Sequence, residues 1–154
     1  MLATTDIDAL ATHVGESLGA SDWVAVTQET VDAFAAATGD HQWIHTDPDR
    51  AAESPFGGTI AHGYLTLALA PALLAQVLPL DDFAMAVNYG LDHLRFPAPL
   101  PVGEHVRMHA RLDGVQRIAG GAALSLGLTF ERSGGGKPAC VAQALYRVYE
   151  EEPS

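Results

Sequence analysis

The sequence predicts an α+β fold: an antiparallel sheet of about five strands with one long apolar helix laid on its concave face. Two observations carry this. In the second half, Val106, Met108, Ala110 and Leu112 alternate with Arg107, His109, Arg111 and Asp113. Likewise, Leu124, Leu126, Leu128 and Phe130 alternate with Ser125, Gly127, Thr129 and Glu131. A period of two marks strands with one face on the core and one facing out. Ahead of them, Ile60 to Leu78 is the most apolar run of the chain. Its length approaches that of a membrane span. But His62, Pro71 and Gln76 interrupt it and no positive residues flank it, so it reads as a helix buried by a sheet and not as a span.

The other elements follow in order. Residues 6–19 have Ile7, Leu10, Val14 and Leu18 at helical spacing, which predicts a short helix. Trp23-Val24-Ala25-Val26 is a short strand. Thr27 is placed to cap a helix whose buried face is Val31, Phe34, Ala35 and Thr38. Gly39 ends it, since glycine takes the left-handed C′ conformation without Cβ strain. Asp47-Pro48 opens a second short helix, aspartate capping and proline filling the first turn. Residues 54–59 form a loop with paired glycines. The long helix begins near His62-Gly63. Pro71 inside it should remove the hydrogen bond to the Leu67 carbonyl and bend it. Gly134 to Pro138 is a turn, 139–149 the last strand, and 150–154 an acidic tail. No repeat or linker divides the chain, so residues 1–154 are read as one domain.

Composition excludes several classes. The net charge is −11 with eight Lys and Arg in 154 residues, so the basic face that a nucleic-acid binder needs is missing. The single cysteine, Cys140, cannot form an internal disulfide and lies in an apolar strand pattern, as a buried structural thiol would. The first twenty residues carry Asp6, Asp8 and Glu16 and no Lys or Arg, unlike a secretory signal. A cytoplasmic protein is expected.

The chemistry concentrates in Asp40-His41-Gln42-Trp43-Ile44-His45. A carboxylate and an imidazole five residues apart, just ahead of the apolar helix, suit acid–base work over an apolar slot. Taken singly, Asp40 could be a turn residue at a helix end and His45 a packed core histidine. Asp40, His41, His45, Asp47 and His62 could also be metal ligands. Their spacing matches no closed zinc pattern and no thiolate joins them, so no metal is expected. No cofactor motif is present, and no G-x-S-x-G elbow points to a serine hydrolase. His13, His93, His105 and His109 read as surface or strand residues without a role.

The pattern F-x4-G-D-x3-I-H-x5-A from Phe34 to Ala51, followed by F-G-G-x-I-A-H-G from Phe56 to Gly63, resembles the MaoC-like (R)-specific enoyl-CoA hydratases, also called 3-hydroxyacyl-thioester dehydratases. Asn88-Tyr89-Gly90, Arg95-Phe96-Pro97-Ala98-Pro99 and Val102-Gly103 extend the likeness, which runs from about Val26 to Arg147. The resemblance implies the hot-dog fold, a strand over 83–95, a homodimer with sheets joined edge to edge, and (R)-specific syn hydration of enoyl thioesters of CoA or a carrier protein, or the reverse dehydration. It implies Asp40 and His45 as the catalytic pair, with Asp40 favoured for water activation and His45 for proton delivery. The backbone N–H of Gly63, at the start of the long helix, is the candidate oxyanion donor, and a side chain there would crowd the thioester. His62 would orient the loop by a hydrogen bond. Gln42 and Trp43 stand where the family has Asn-Pro. This departure puts the pocket wall in question: Trp43 would line the acyl slot or pack at the dimer interface, the packing role being favoured. The competing readings are a hot-dog thioesterase and a non-catalytic acyl-thioester binding module.

Overall fold

The computed structural model describes residues 6–151. Six strands form one antiparallel sheet: β1 (Ser17–Ala20), β2 (Val24–Ala25), β3 (Met85–Arg95), β4 (His105–Ile118), β5 (Gly121–Arg132) and β6 (Cys140–Tyr149). The order is β1-β4-β5-β6-β3, with β2 also paired to β4. That is one strand more than about five, because the amino-terminal segment contributes two short ones. The alternation in β4 and β5 is borne out in register, and β6 shares it: Met108 faces Phe130, Ala110 faces Leu128, and Leu128 faces Ala142. All of these are buried.

Two expectations about helices need correction. The helix expected over 6–19 is only α1 (Ile7–Ala11). Its Ile7 and Leu10 are buried, but Val14 is exposed and Leu18 is buried from strand β1. Gly15 and Gly19 both have positive φ, and the chain turns at the first into the sheet. The long helix is two short ones, α5 (Gly63–Ala68) and α6 (Ala70–Leu74), broken at Leu69. Pro71 lies in the first turn of α6, where its missing N–H costs nothing. The sequence thus foresaw a bend, and the structure shows a break. Nor is the segment buried on all sides. Leu65, Thr66, Ala70, Leu73, Leu74, Val77 and Leu78 pack on the sheet, while Tyr64, Ala68, Pro71 and Ala72 are exposed.

The core lies between this helical segment and the inner face of the sheet, where Leu73 and Leu74 join Met108, Leu112, Leu126 and Phe130. Truncating one such leucine to alanine costs about 2–5 kcal/mol, through lost transfer energy and the cavity left behind. Cys140 belongs to this core, and burial pushes its thiol up to about 11. The outer face is polar, with Glu131 taking bonds from Arg107 at 2.7 Å and His109 at 2.6 Å. Among the described residues no helix is long and apolar enough to cross a membrane.

The remaining helices carry the site. α2 (Gln28–Thr38) is capped by the Thr27 hydroxyl, which accepts the Thr30 N–H at 3.2 Å. It ends at Gly39, φ 80°, whose N–H returns to the Ala35 carbonyl at 2.8 Å. α3 (Trp43–Thr46) and α4 (Pro48–Ala52) follow, and the Asp47 carboxylate caps α4 by accepting the Arg50 N–H at 3.0 Å. The extent of the first helix, Asp40's place after it and the Asp-Pro start are therefore as expected. Of that helix's expected buried face, however, only Val31 and Ala35 are buried, Phe34 being half-buried and Thr38 exposed. His45 lies between α2 and α4, inside the one-turn helix α3.

Candidate active site

The left-handed turn at Gly39 delivers Asp40 to the mouth of the site, its side chain 54 % exposed. The chain then turns into α3 and buries His45, which is 7 % exposed. The His45 ring is tied down at Nδ1, 2.6 Å from the Ile60 carbonyl oxygen. A carbonyl can only accept, so Nδ1 carries the hydrogen. In the neutral ring, Nε2 is then a free lone pair. Burial lowers the His45 pKa from its ordinary value, outweighing the upward pull of the Ile60 bond. His62 pushes it down further and Asp40 pulls it up. Desolvation disfavours the charged ring, so His45 is a neutral base near pH 7.

His62 links the pair. It is 2 % exposed, and its Nε2 donates to the Asp40 backbone carbonyl at 2.9 Å. Its ring stacks on His45 with centroids 3.8 Å apart and planes 24° apart, and Phe34 flanks it at 4.9 Å. Its Nδ1 is buried without a partner among the described residues. The expected loop bond is thus present, and the stack on His45 is additional.

Asp40, His45 and His62 each offer one atom, and all three lie within 4.8 Å of one another. Two hydrogen bonds of about 2.8 Å each span that distance through one water. The same trio is poorly arranged for a metal ion. His45 Nδ1 and His62 Nε2 are engaged by carbonyls, and two near-parallel stacked rings do not aim their remaining nitrogens at a common tetrahedral centre. His41 is exposed, and Asp47 is occupied as a cap.

Gly63 follows His62 as the first residue of α5, where a backbone N–H has no acceptor within its own helix. A Cβ at this position would stand 3.0 Å from two atoms of the Phe96 ring and 3.1 Å from a third. The glycine therefore admits Phe96, a packing role in addition to any role toward a substrate. Gln42 accepts the His45 N–H on its carbonyl at 2.9 Å, and its side chain makes no cap bond. Trp43 is half-buried, with the Arg50 guanidinium carbon 4.3 Å above its ring. This intrachain stack with Arg50 was not among the expectations for the indole.

Beyond Gly63, an apolar cavity of about 430 Å³ lies between the α5–α6 segment and β3, lined by Leu67, Ala70, Pro71, Leu91, Ala144 and Tyr146. A larger hollow of about 580 Å³ on the polar face of the sheet involves His93, His109, Arg111, Asp113 and Gln143 but none of the site residues.

The site sets a carboxylate and an imidazole on this sheet close enough to share one water, an arrangement suited to acid–base chemistry. Residues 9–127 match the model of the MaoC like domain, and the chain belongs to the MaoC-like dehydratase family. It is 52% identical over 139 residues to 3-hydroxyacyl-thioester dehydratase Z of Mycobacterium tuberculosis, covering 90% of this chain and 92% of that one. It is 41% identical over 146 residues to nodulation protein N of Rhizobium meliloti, covering 92% and 88%. Among solved structures it resembles the (R)-hydratase from A. caviae involved in PHA biosynthesis, with TM-score 0.72, 27% identity, and 86% and 94% of the two chains covered.

Proposed function

We propose that the protein catalyses the reversible (R)-specific addition of water to trans-2-enoyl thioesters, giving (R)-3-hydroxyacyl thioesters of CoA or a carrier protein. The observation that carries this reading is the single-water spacing of Asp40 and His45, with His45 locked as the Nδ1–H tautomer. A water in this gap gives one hydrogen to the Asp40 carboxylate and the other to His45 Nε2. Its oxygen attacks Cβ while the pair takes one proton and returns it to Cα from the same side. Oxygen and hydrogen thus add to one face, and no net proton is gained or lost. The enolate charge on the thioester oxygen is met by the Gly63 N–H. His62 holds the Asp40 backbone and floors the His45 ring without touching substrate. The apolar cavity beyond Gly63 receives the acyl chain. No metal or cofactor takes part in this scheme.

The working form in this reading is a homodimer in the cytoplasm. Support for the dimer comes from β3, an edge strand whose Met85, Val87, Tyr89 and Leu91 are all exposed. A long apolar edge is prone to pairing unless covered, and a second copy laid along it covers both strands. The acidic composition supports the location.

The test is a panel of trans-2-enoyl-CoAs of graded chain length, followed by enoyl absorbance, free thiol and chiral analysis of the product. Loss of enoyl absorbance with an (R)-3-hydroxyacyl product and no thiol release is expected. Thiol release with the enoyl group intact would mean a thioesterase, and binding without either reaction would mean a non-catalytic module.

A further inference from the structure

Gln28 is the first residue of α2, and nothing in the sequence pattern marks it. In the structure its side chain closes a ring of hydrogen bonds around His45. The amide Nε2 donates to the His45 backbone carbonyl at 2.7 Å and to the Asp32 carboxylate at 2.8 Å. The amide Oε1 accepts from the Thr59 hydroxyl at 2.5 Å. Two acceptors on the nitrogen and one hydroxyl donor on the oxygen fix which way the amide points. Thr59 is buried and precedes Ile60, whose carbonyl takes the His45 Nδ1 hydrogen. The circuit runs from Gln28 to Thr59, along the backbone to Ile60, across to the His45 ring, and through the His45 carbonyl back to Gln28.

The rest of this segment is also tied. The Ile60 N–H donates to the Ile44 carbonyl at 3.0 Å, and the Thr59 carbonyl accepts the Val102 N–H at 2.9 Å. These bonds hold backbone to backbone. The Gln28 amide is the side-chain bridge that joins the His45 carbonyl to the segment presenting the Ile60 oxygen. Together with the Ile44–Ile60 backbone bond it braces the two ends of the clamp that fixes the ring's tautomer and direction.

We propose that Gln28 is a positioning residue for His45, acting with Thr59 to hold the imidazole in its productive direction. This rests on the catalytic role assigned to His45 above. Gln28→Met keeps the length of the side chain and removes all three hydrogen bonds. Thr59→Val keeps the shape of threonine and removes its hydroxyl. A misplacement on the order of 1 Å costs roughly 10²-fold in rate, so each change lowers kcat by about 10- to 100-fold while KM stays within about twofold. The double variant is no worse than about threefold below the worse single, because both changes open one circuit.

The control is Thr27→Ala, which removes the cap of the same helix but no bond to the His45 clamp. It lowers the melting temperature without moving kcat. A readout independent of activity is the His45 Nδ1–H resonance in the ¹⁵N-labelled protein. The intact circuit gives a sharp, slowly exchanging signal, and Gln28→Met broadens it or speeds its exchange. Unchanged kcat and an unchanged His45 signal in folded Gln28→Met would overturn the proposal. So would a kcat loss matched by Thr27→Ala at equal loss of stability. An inactive wild type with the signal still dependent on Gln28 would instead overturn the hydratase reading and leave the clamp standing.

Discussion

Gly63 has two roles to separate, because its Cα hydrogens face Phe96 and its N–H is the proposed oxyanion donor. A methyl added at Gly63 would sit 3.0 Å from the Phe96 ring, whereas carbon atoms rest about 3.5–4.0 Å apart. The ring or the helix must then give by a few tenths of an ångström, and overpacking of this kind costs about 1–3 kcal/mol. Gly63→Ala alone therefore lowers stability and shifts the N–H, lowering kcat without showing which role failed. Removing the ring resolves this. Phe96 is 40 % exposed, so Phe96→Ala is tolerable, and in that background Gly63→Ala fits. Gly63→Pro also fits, because proline is favoured at the first helical position. The preceding His62 has φ −59° and ψ 138°, the extended conformation that a following proline demands. The two double variants differ chiefly in the N–H. With steady-state enoyl hydration as the assay, Gly63→Ala in the Phe96→Ala background keeps kcat within about tenfold of Phe96→Ala alone. Gly63→Pro in that background loses roughly 10²–10³, the cost of one oxyanion donor. Equal activity of the two would refute the assignment and leave Gly63 a packing glycine.

The low His45 pKa sets the pH profile. The neutral ring is the active form, so kcat/KM falls as pH drops through that pKa, and the acid limb lies below the ordinary histidine value of 6.5. A limb at or above that value would contradict the buried, neutral ring. Trp43→Ala removes the stack under Arg50 and costs about 0.5–1 kcal/mol of stability by thermal unfolding, with acyl-length preference unchanged. A changed length preference would place the indole at the pocket after all. Val87→Lys with Leu91→Lys puts charge on the exposed β3 edge. Sedimentation should then show a monomer in place of a dimer, and a wild type already monomeric at assay concentration would overturn the edge-pairing proposal.

Much of this architecture was legible because the signals were local. The Thr27 cap, the Gly39 stop and the Asp47-Pro48 start each depend on a few adjacent residues, and each stands in the structure. The alternation in β4 and β5 runs long enough to declare one buried face. Strand β1 is four residues with Leu18 alone buried, too short to show a period, and its spacing with Leu10 mimicked a helix turn. Pro71 signalled a disturbance in the apolar run. Proline fits a helix start as well as a bend, so the interruption at Leu69 could not be told from a curve. In the site, Asp40 and His45 were visible by their separation. The stack of His62 on His45 and the bridge from Gln28 were not, since they join residues 17 or more positions apart. Trp43 was noticed as a departure, but its partner Arg50 lies on the next helix and was not foreseen.

The central claim is that Asp40 and His45 act on one shared water, and a double-mutant cycle on kcat tests it most directly. Asp40→Asn and His45→Ala each lower kcat by roughly 10²–10⁴, the range for losing a positioned acid or base. Once either is gone the water is no longer held between them, so the double variant stays within about tenfold of the worse single. Fully multiplicative losses, with the double variant slower by the product of the two single effects, would contradict a shared water and assign the two groups to separate steps.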